Sequence, residues 1–87
     1  MVQHDAFAAI ADANRRLLLE ALRRGPKTVG ELAGGLPVSR PAVSQHLKVL
    51  LDAGLVSVRA QGTKRIYALD ADGLLRLNVW IDQFWQG

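Results

Sequence analysis

The sequence predicts a mainly α protein with one small β-hairpin, five helices and a two-stranded ribbon. Three observations predict it. Asp12, Thr28 and Ser39, side chains that cap helix N-termini, each stand directly before an amphipathic stretch. Two breakers, "RRGP" and "GGLP", separate those stretches, and an apolar–polar alternation folds back around Gly62.

Taken in order, "AFAAIADA" sets Phe7, Ile10 and Ala11 at the spacing of one helical face, and a first helix is expected over about 3–12. Asp12 caps a second helix, whose Leu18, Ala21 and Leu22 repeat the pattern. Arg23 and Arg24 suit its negative C-terminal end, Gly25 can take a left-handed exit, and Pro26 blocks continuation. Thr28 caps a third, short helix through Val29, Leu32 and Ala33, with Glu31 placed for a capping box. Ser39 caps a fourth helix that carries Pro41 in its first turn and ends at Gly54. "LVSVRAQGTKRIYAL" is a hairpin with a basic tip, and "DGLLRLNVWIDQFWQG", with no turn signal after Gly73, is a fifth helix expected over about 71–86.

A chain of 87 residues, 49% apolar and without low-complexity tracts, is expected to form a single domain over 1–87. It has no cysteine, so disulfides, thiolate metal sites and cysteine nucleophiles are excluded. No signal-peptide pattern opens the chain and no run is long enough to span a bilayer, so a cytoplasmic location is expected. The net charge is only +3, yet the segment from Arg40 to Arg65 carries five basic residues against Asp52 alone, and the remainder of the chain is slightly acidic. Excess positive charge gathered in one segment is the footprint of a surface that meets polyanions.

The fourth helix gives that footprint a shape. Val43, Leu47 and Leu50, with Leu51 beside them, fall on one line and form its core side. Pro41, Ser44, Gln45, Lys48 and Asp52 fall on the opposite arc, with Arg40 at the N-terminal edge. Ser, Gln, Arg and Lys can bond base edges or phosphates, and the only acid lies at the far end. With the short helix before it and the basic hairpin after it, the fourth helix completes a winged helix-turn-helix, an arrangement that sets its second helix into a DNA major groove. The alternative from a different class is a winged-helix module used for protein contacts, its basic wing merely solvated.

The stretches "FAAIADANRRLLLEALRRG", "TVGELAGGLPVSRPAVSQHLKVLLDAGLV" and "GTKRIYAL" resemble the ArsR/SmtB type of winged-helix repressor over roughly residues 5–85. The resemblance implies a dimeric bacterial transcription repressor that binds operator DNA and releases it on a signal. It implies base or phosphate contacts from Arg40, Pro41, Ser44, Gln45 and Lys48, and wing contacts from Gln61, Thr63, Lys64 and Arg65. Chemically, Arg40 can fork onto guanine and Gln45 onto adenine, whereas Lys48 and the wing suit phosphates.

Many such repressors hold metals through cysteines in the third helix or through Asp and His in the last. Here "GELAGGL" lacks cysteine and the last helix offers only Asp72 and Asp82, so no metal and no cofactor is expected. His46 flanks the apolar line and is expected to be structural; His4 is expected on the surface. Catalysis is not expected. Ser44 and His46 point about 200° apart on one helix, so Ser44, His46 and Asp52 do not make a triad, and "GELAGGL" lacks a phosphate-loop ending.

The last helix is apolar on more than one face. Leu77, Trp80, Ile81, Phe84 and Trp85 form one arc with Leu74, while Leu75 and Val79 lie outside it. A homodimer is expected, with Phe7 of the first helix joining Leu77, Trp80, Ile81, Phe84 and Trp85 at the interface. The competing reading is that Trp80 and Phe84 close the domain's own core.

Overall fold

A computed structural model of the chain describes residues 5–85, so the expectation for His4 lies outside it. The order is α1 (Ala6–Ile10), α2 (Ala13–Leu22), α3 (Val29–Gly35), α4 (Arg40–Asp52), β1 (Val56–Gln61), β2 (Lys64–Leu69) and α5 (Ala71–Asp82). Among the described residues there are therefore five helices and one two-stranded antiparallel ribbon, the winged helix-turn-helix that the sequence predicts.

Local chemistry sets the helix starts. The Asp12 carboxylate accepts from the Asn14 and Arg15 amides at 2.8 and 3.1 Å, and the extended backbone at Asp12 separates α1 from α2. Thr28 and Glu31 close a capping box, and the Ser39 hydroxyl accepts from the Ala42 amide. Helix α4 leaves through a Schellman turn. Gly54, at φ 77°, donates to the Leu51 carbonyl while Leu55 donates to that of Leu50, which drives the Leu55 side chain into the core.

Two helix lengths differ from expectation. Of the first helix expected over about 3–12, only Ala6–Ile10 is helical within the described residues, because Asp5 caps it at one end and Asp12 begins α2 at the other. The last helix stops at Asp82, short of 86. Phe84 and Trp85 donate to the carbonyls three residues back, and the Gln83 side chain takes the Trp80 carbonyl at 2.9 Å, so the chain closes into turns. Gln86 lies outside the described residues.

The core is a contiguous cluster contributed by every helix and by the ribbon. Leu18 and Leu22 of α2, Leu32 of α3 and Val43, Leu47 and Leu50 of α4 meet Leu55, Val56 and Tyr67. Each fully buried leucine contributes about 2 kcal/mol of apolar transfer. Ala9 and Leu77 seal the end where α1 meets α5.

Two main-chain contacts orient the outer parts. Lys27, in the linker between α2 and α3, exchanges both backbone hydrogen bonds with Tyr67, 2.9 and 2.8 Å, and so pins the root of the ribbon to the helical body. At the start of α5 a Cβ on Gly73 would sit 1.8 Å from the Gly54 carbonyl oxygen, so the helix approaches the end of α4 backbone to backbone.

Candidate nucleic-acid interface

Helix α4 is held by its apolar side. Val43, Leu47 and Leu50 are fully buried, and this fixes the rotation of the helix so that Arg40, Pro41, Ser44, Gln45 and Lys48 all stand exposed. Pro41, Ser44, Gln45 and Lys48 recur at the three- and four-residue spacing of neighbours on one face. Asp52 is exposed a turn beyond Lys48 and supplies the only acid on α4.

The ribbon stands beside this face. Gln61 pairs with Lys64, leaving Gly62 and Thr63 as a two-residue turn in which Gly62 has φ 61° and Thr63 a negative φ. That combination is the type II′ turn, whose twist matches the strands it joins. Gln61, Thr63, Lys64 and Arg65 are all exposed at the tip. Pairing also divides them. Lys64 shares a ribbon face with Gln61 and Arg59, whereas Arg65 lies on the other face with Ala60 and Tyr67.

Helix and ribbon meet in a cleft of about 420 Å³. It is lined by Thr28, Gly30 and Glu31 of the first turn of α3, by Arg40, and by Thr63, Lys64 and Arg65. The Arg40 guanidinium lies along Gly30, within 3.7 Å of where a Cβ would stand, so it faces this cleft and does not extend ahead of α4. Three cations and two threonine hydroxyls thus surround one carboxylate. That carboxylate, Glu31, is held below its usual range by the Thr28 backbone N–H and then by the Thr28 hydroxyl, so it stays ionised as the capping partner.

One basic residue of the ribbon was not assigned a contact from the sequence. Arg59 is exposed on β1 and its Nη1 donates to the Gln61 Oε1 at 3.3 Å, so it belongs with the basic ribbon face; its two-residue offset from Gln61 was the available signal. His46 is half-buried with its Nδ1 3.3 Å from Nη1 of Arg15, a structural placement, while Ser44 faces solvent. Among the described residues no three His, Asp or Glu side chains gather where a metal ion could be held, and no helix is long and apolar enough to cross a membrane.

The residues expected at a partner interface separate. Phe7, Trp80 and Phe84 form an edge-to-face file across α1, α5 and the turn after α5, successive centroids 4.7 Å apart, with Trp80 half exposed and Phe84 66% exposed. Trp85 is exposed and Ile81 half-buried. Leu77 corrects the expectation. It is 7% exposed because it falls on the inward line of α5 with Gly73, and it belongs to the chain's own core. Leu75 and Val79, left out of the expected interface, are 58% and 62% exposed on the outer face of α5.

A rod anchored by its apolar side, offering a polar uncharged-to-basic face beside a basic ribbon, defines a DNA-binding transcriptional regulator of the winged helix-turn-helix class. The model of the arsR family of bacterial regulatory proteins matches residues 12–58, which takes in α2, α3, α4 and the start of β1. The chain belongs to that family, and its members are regulators of transcription, not enzymes.

It is 58% identical over 80 residues to an HTH-type transcriptional regulator of Mycobacterium tuberculosis, covering 92% of this chain and 75% of that one. It is 32% identical over 81 residues to the transcriptional repressor SdpR of Bacillus subtilis, covering 93% and 90%. Among solved structures it is similar, at TM-score 0.75 and 26% identity over 93% of this chain and 79% of the other, to a homodimeric winged helix-turn-helix DNA-binding domain from Mycobacterium bovis, a possible ArsR-family transcriptional regulator.

Proposed function

We propose that the protein is a dimeric repressor that occupies an inverted-repeat operator. The observation that carries this is the continuity of one exposed surface, from Ser44 and Gln45 on α4, past Arg40, to Lys64 and Arg65 on the ribbon. In this reading Ser44 and Gln45 meet base edges, Pro41 packs against a base or sugar, and Lys48 binds a phosphate. Arg40, turned into the cleft, joins Thr63, Lys64, Arg65 and Gln61 in gripping the backbone on one side of the half-site.

The partner copy docks on the α1–α5 side. The file of Phe7, Trp80 and Phe84 supports this, as do Trp85 and the outer Leu75 and Val79, since aromatic surface of this kind is characteristic of interfaces. The homodimeric relative and the relative named as a repressor support the same reading. A two-fold pair of recognition helices spaced by about one DNA turn, ~34 Å, reads two half-sites of opposite orientation.

Selection of bound fragments from random duplexes tests the whole proposal. The expected product is an inverted repeat with half-sites about one turn apart. Against that operator Gln45→Ala is expected to lose ~1 to 3 kcal/mol of discrimination from random DNA, whereas Lys48→Ala weakens both alike. Lys64→Ala and Arg65→Ala are each expected to lower the slope of log affinity against log salt by about one. No enriched sequence, with affinity flat in salt, defeats the proposal.

A further inference from the structure

Arg15, near the start of α2, makes more directed contacts than any other side chain described. Its backbone amide donates to the Asp12 cap at 3.1 Å. Its Nε donates to the Ala9 carbonyl at 2.7 Å and its Nη2 to that of Ala8 at 3.4 Å, an oxygen that also accepts from the Ala11 amide at 3.2 Å. Its Nη1 points to Nδ1 of His46, 3.3 Å away on α4. One planar guanidinium therefore touches both the C-terminal end of α1 and the flank of the recognition helix.

The bond to His46 has a definite sense. A guanidinium has donors and no acceptor, so a hydrogen bond at this contact requires Nδ1 to supply the lone pair, which is the tautomer with its proton on Nε2. His46 lies directly between Gln45, on the exposed face, and Leu47, in the core, and its position is coupled to the rotation of α4 about its axis. On the other side, α1 carries Phe7, whose ring stands against Trp80 of α5. Arg16 gives the internal comparison: it donates to the Ile10 carbonyl at 2.8 Å, and no bond from it to α4 is seen among the described residues.

We infer that Arg15 is a positioning residue for DNA recognition, a rigid fork through which the α1–α5 side of the molecule sets the rotation of α4. A flexible ammonium cannot replace it, because the planar fork holds several acceptors in fixed relative directions and a lysine does not. When α1 shifts, as it does if the partner face repacks, the fork cannot keep both the Ala8 and Ala9 carbonyls and the imidazole. The loss then falls on the read-out of bases and leaves phosphate binding intact. The inference rests on the proposed DNA-binding role of α4.

The test uses the full chain, a selected operator and a random duplex of equal length. In wild-type protein at pH 8, long-range ¹H–¹⁵N spectra are expected to show His46 as the Nε2–H tautomer with a bonded Nδ1. Arg15→Lys is expected to lower operator affinity about tenfold while leaving affinity for the random duplex unchanged, the size of effect that one hydrogen bond to a charged group supplies. In a His46→Phe background the same substitution is expected to add less than about twofold, since the two residues act as one unit. Arg16→Lys is expected to keep wild-type discrimination.

An Nδ1–H tautomer in wild-type protein, a folded Arg15→Lys with full discrimination, or losses that simply multiply in the double variant would each overturn the inference. If Arg15→Lys does not fold, His46→Phe alone carries the test: about tenfold loss of operator affinity supports it, and unaltered discrimination sinks it. A wild-type chain that prefers no duplex defeats the DNA-binding reading itself. Discrimination that survives Arg15→Lys defeats only the role of Arg15.

Discussion

Asp12 and Glu31 illustrate how much of this molecule rests on single side chains that close helix ends. The Asp12 carboxyl is held below its ordinary range chiefly by the Arg15 backbone N–H, and the Glu31 carboxyl by the Thr28 backbone N–H. A folded-state pKa below the unfolded one means that the carboxylate stabilises the fold fully above its unfolded value, and that this stabilisation fades as pH falls through the folded one. Thermal midpoints are therefore expected to be level above about pH 5 and to drop below about pH 4. Asp12→Asn, which keeps a capping oxygen without titrating, is expected to show a shallower acid drop than wild type; an equal drop would assign the acid sensitivity elsewhere. Caps of this kind were legible in the sequence because they act over two or three residues. The Arg15–His46 bond was not, because its partners are 31 residues apart and nothing local distinguishes Arg15 from Arg16 beside it.

At the scale of elements, the decisive contact is made by a residue with no side chain. Any Cβ at Gly73 collides with the Gly54 carbonyl, main chain against main chain, so Gly73→Ala must push α5 away from the end of α4. A loss of about 2 kcal/mol or more in urea unfolding is expected. Gly34→Ala is the control. A Cβ there meets nothing within 4 Å, and a change within about 1 kcal/mol is expected because alanine costs less backbone entropy in a helix. Helix starts and the hairpin were visible as patterns, since capping side chains and strict alternation are written in neighbouring letters. The end of α5 was not, because Gln83, Phe84 and Trp85 carry no breaker and the chain turns only through the bonds they make. Nor was the pairing of Lys27 with Tyr67, a contact between strangers in sequence.

Across the whole molecule, the helical periodicity of α5 was readable but its azimuth was not. Leu77 and Val79 look equally apolar in the sequence; the close approach at Gly73 turns the first inward and the second to solvent. Their substitutions should accordingly diverge. Leu77→Ala is expected to cost about 2–5 kcal/mol of folding stability. Val79→Arg is expected to leave the monomer fold intact, shift sedimentation from dimer to monomer and reduce operator affinity with it. A Val79→Arg dimer of wild-type strength would place the partner elsewhere.

The ribbon is clamped at Lys27 and Tyr67 and free at Gly62 and Thr63, so mechanically it is a cantilever. Bending is easiest at the tip and costliest at the root, where it breaks two main-chain bonds and disturbs Tyr67. In the proposed complex, a duplex with a wider or narrower flank would be accommodated by flexing the last few residues, while α4 keeps its tilt. On the proposed function, tolerance to the shape of flanking DNA would fall to the ribbon tip and stringency toward the half-site to the helix, separate parts of one small frame.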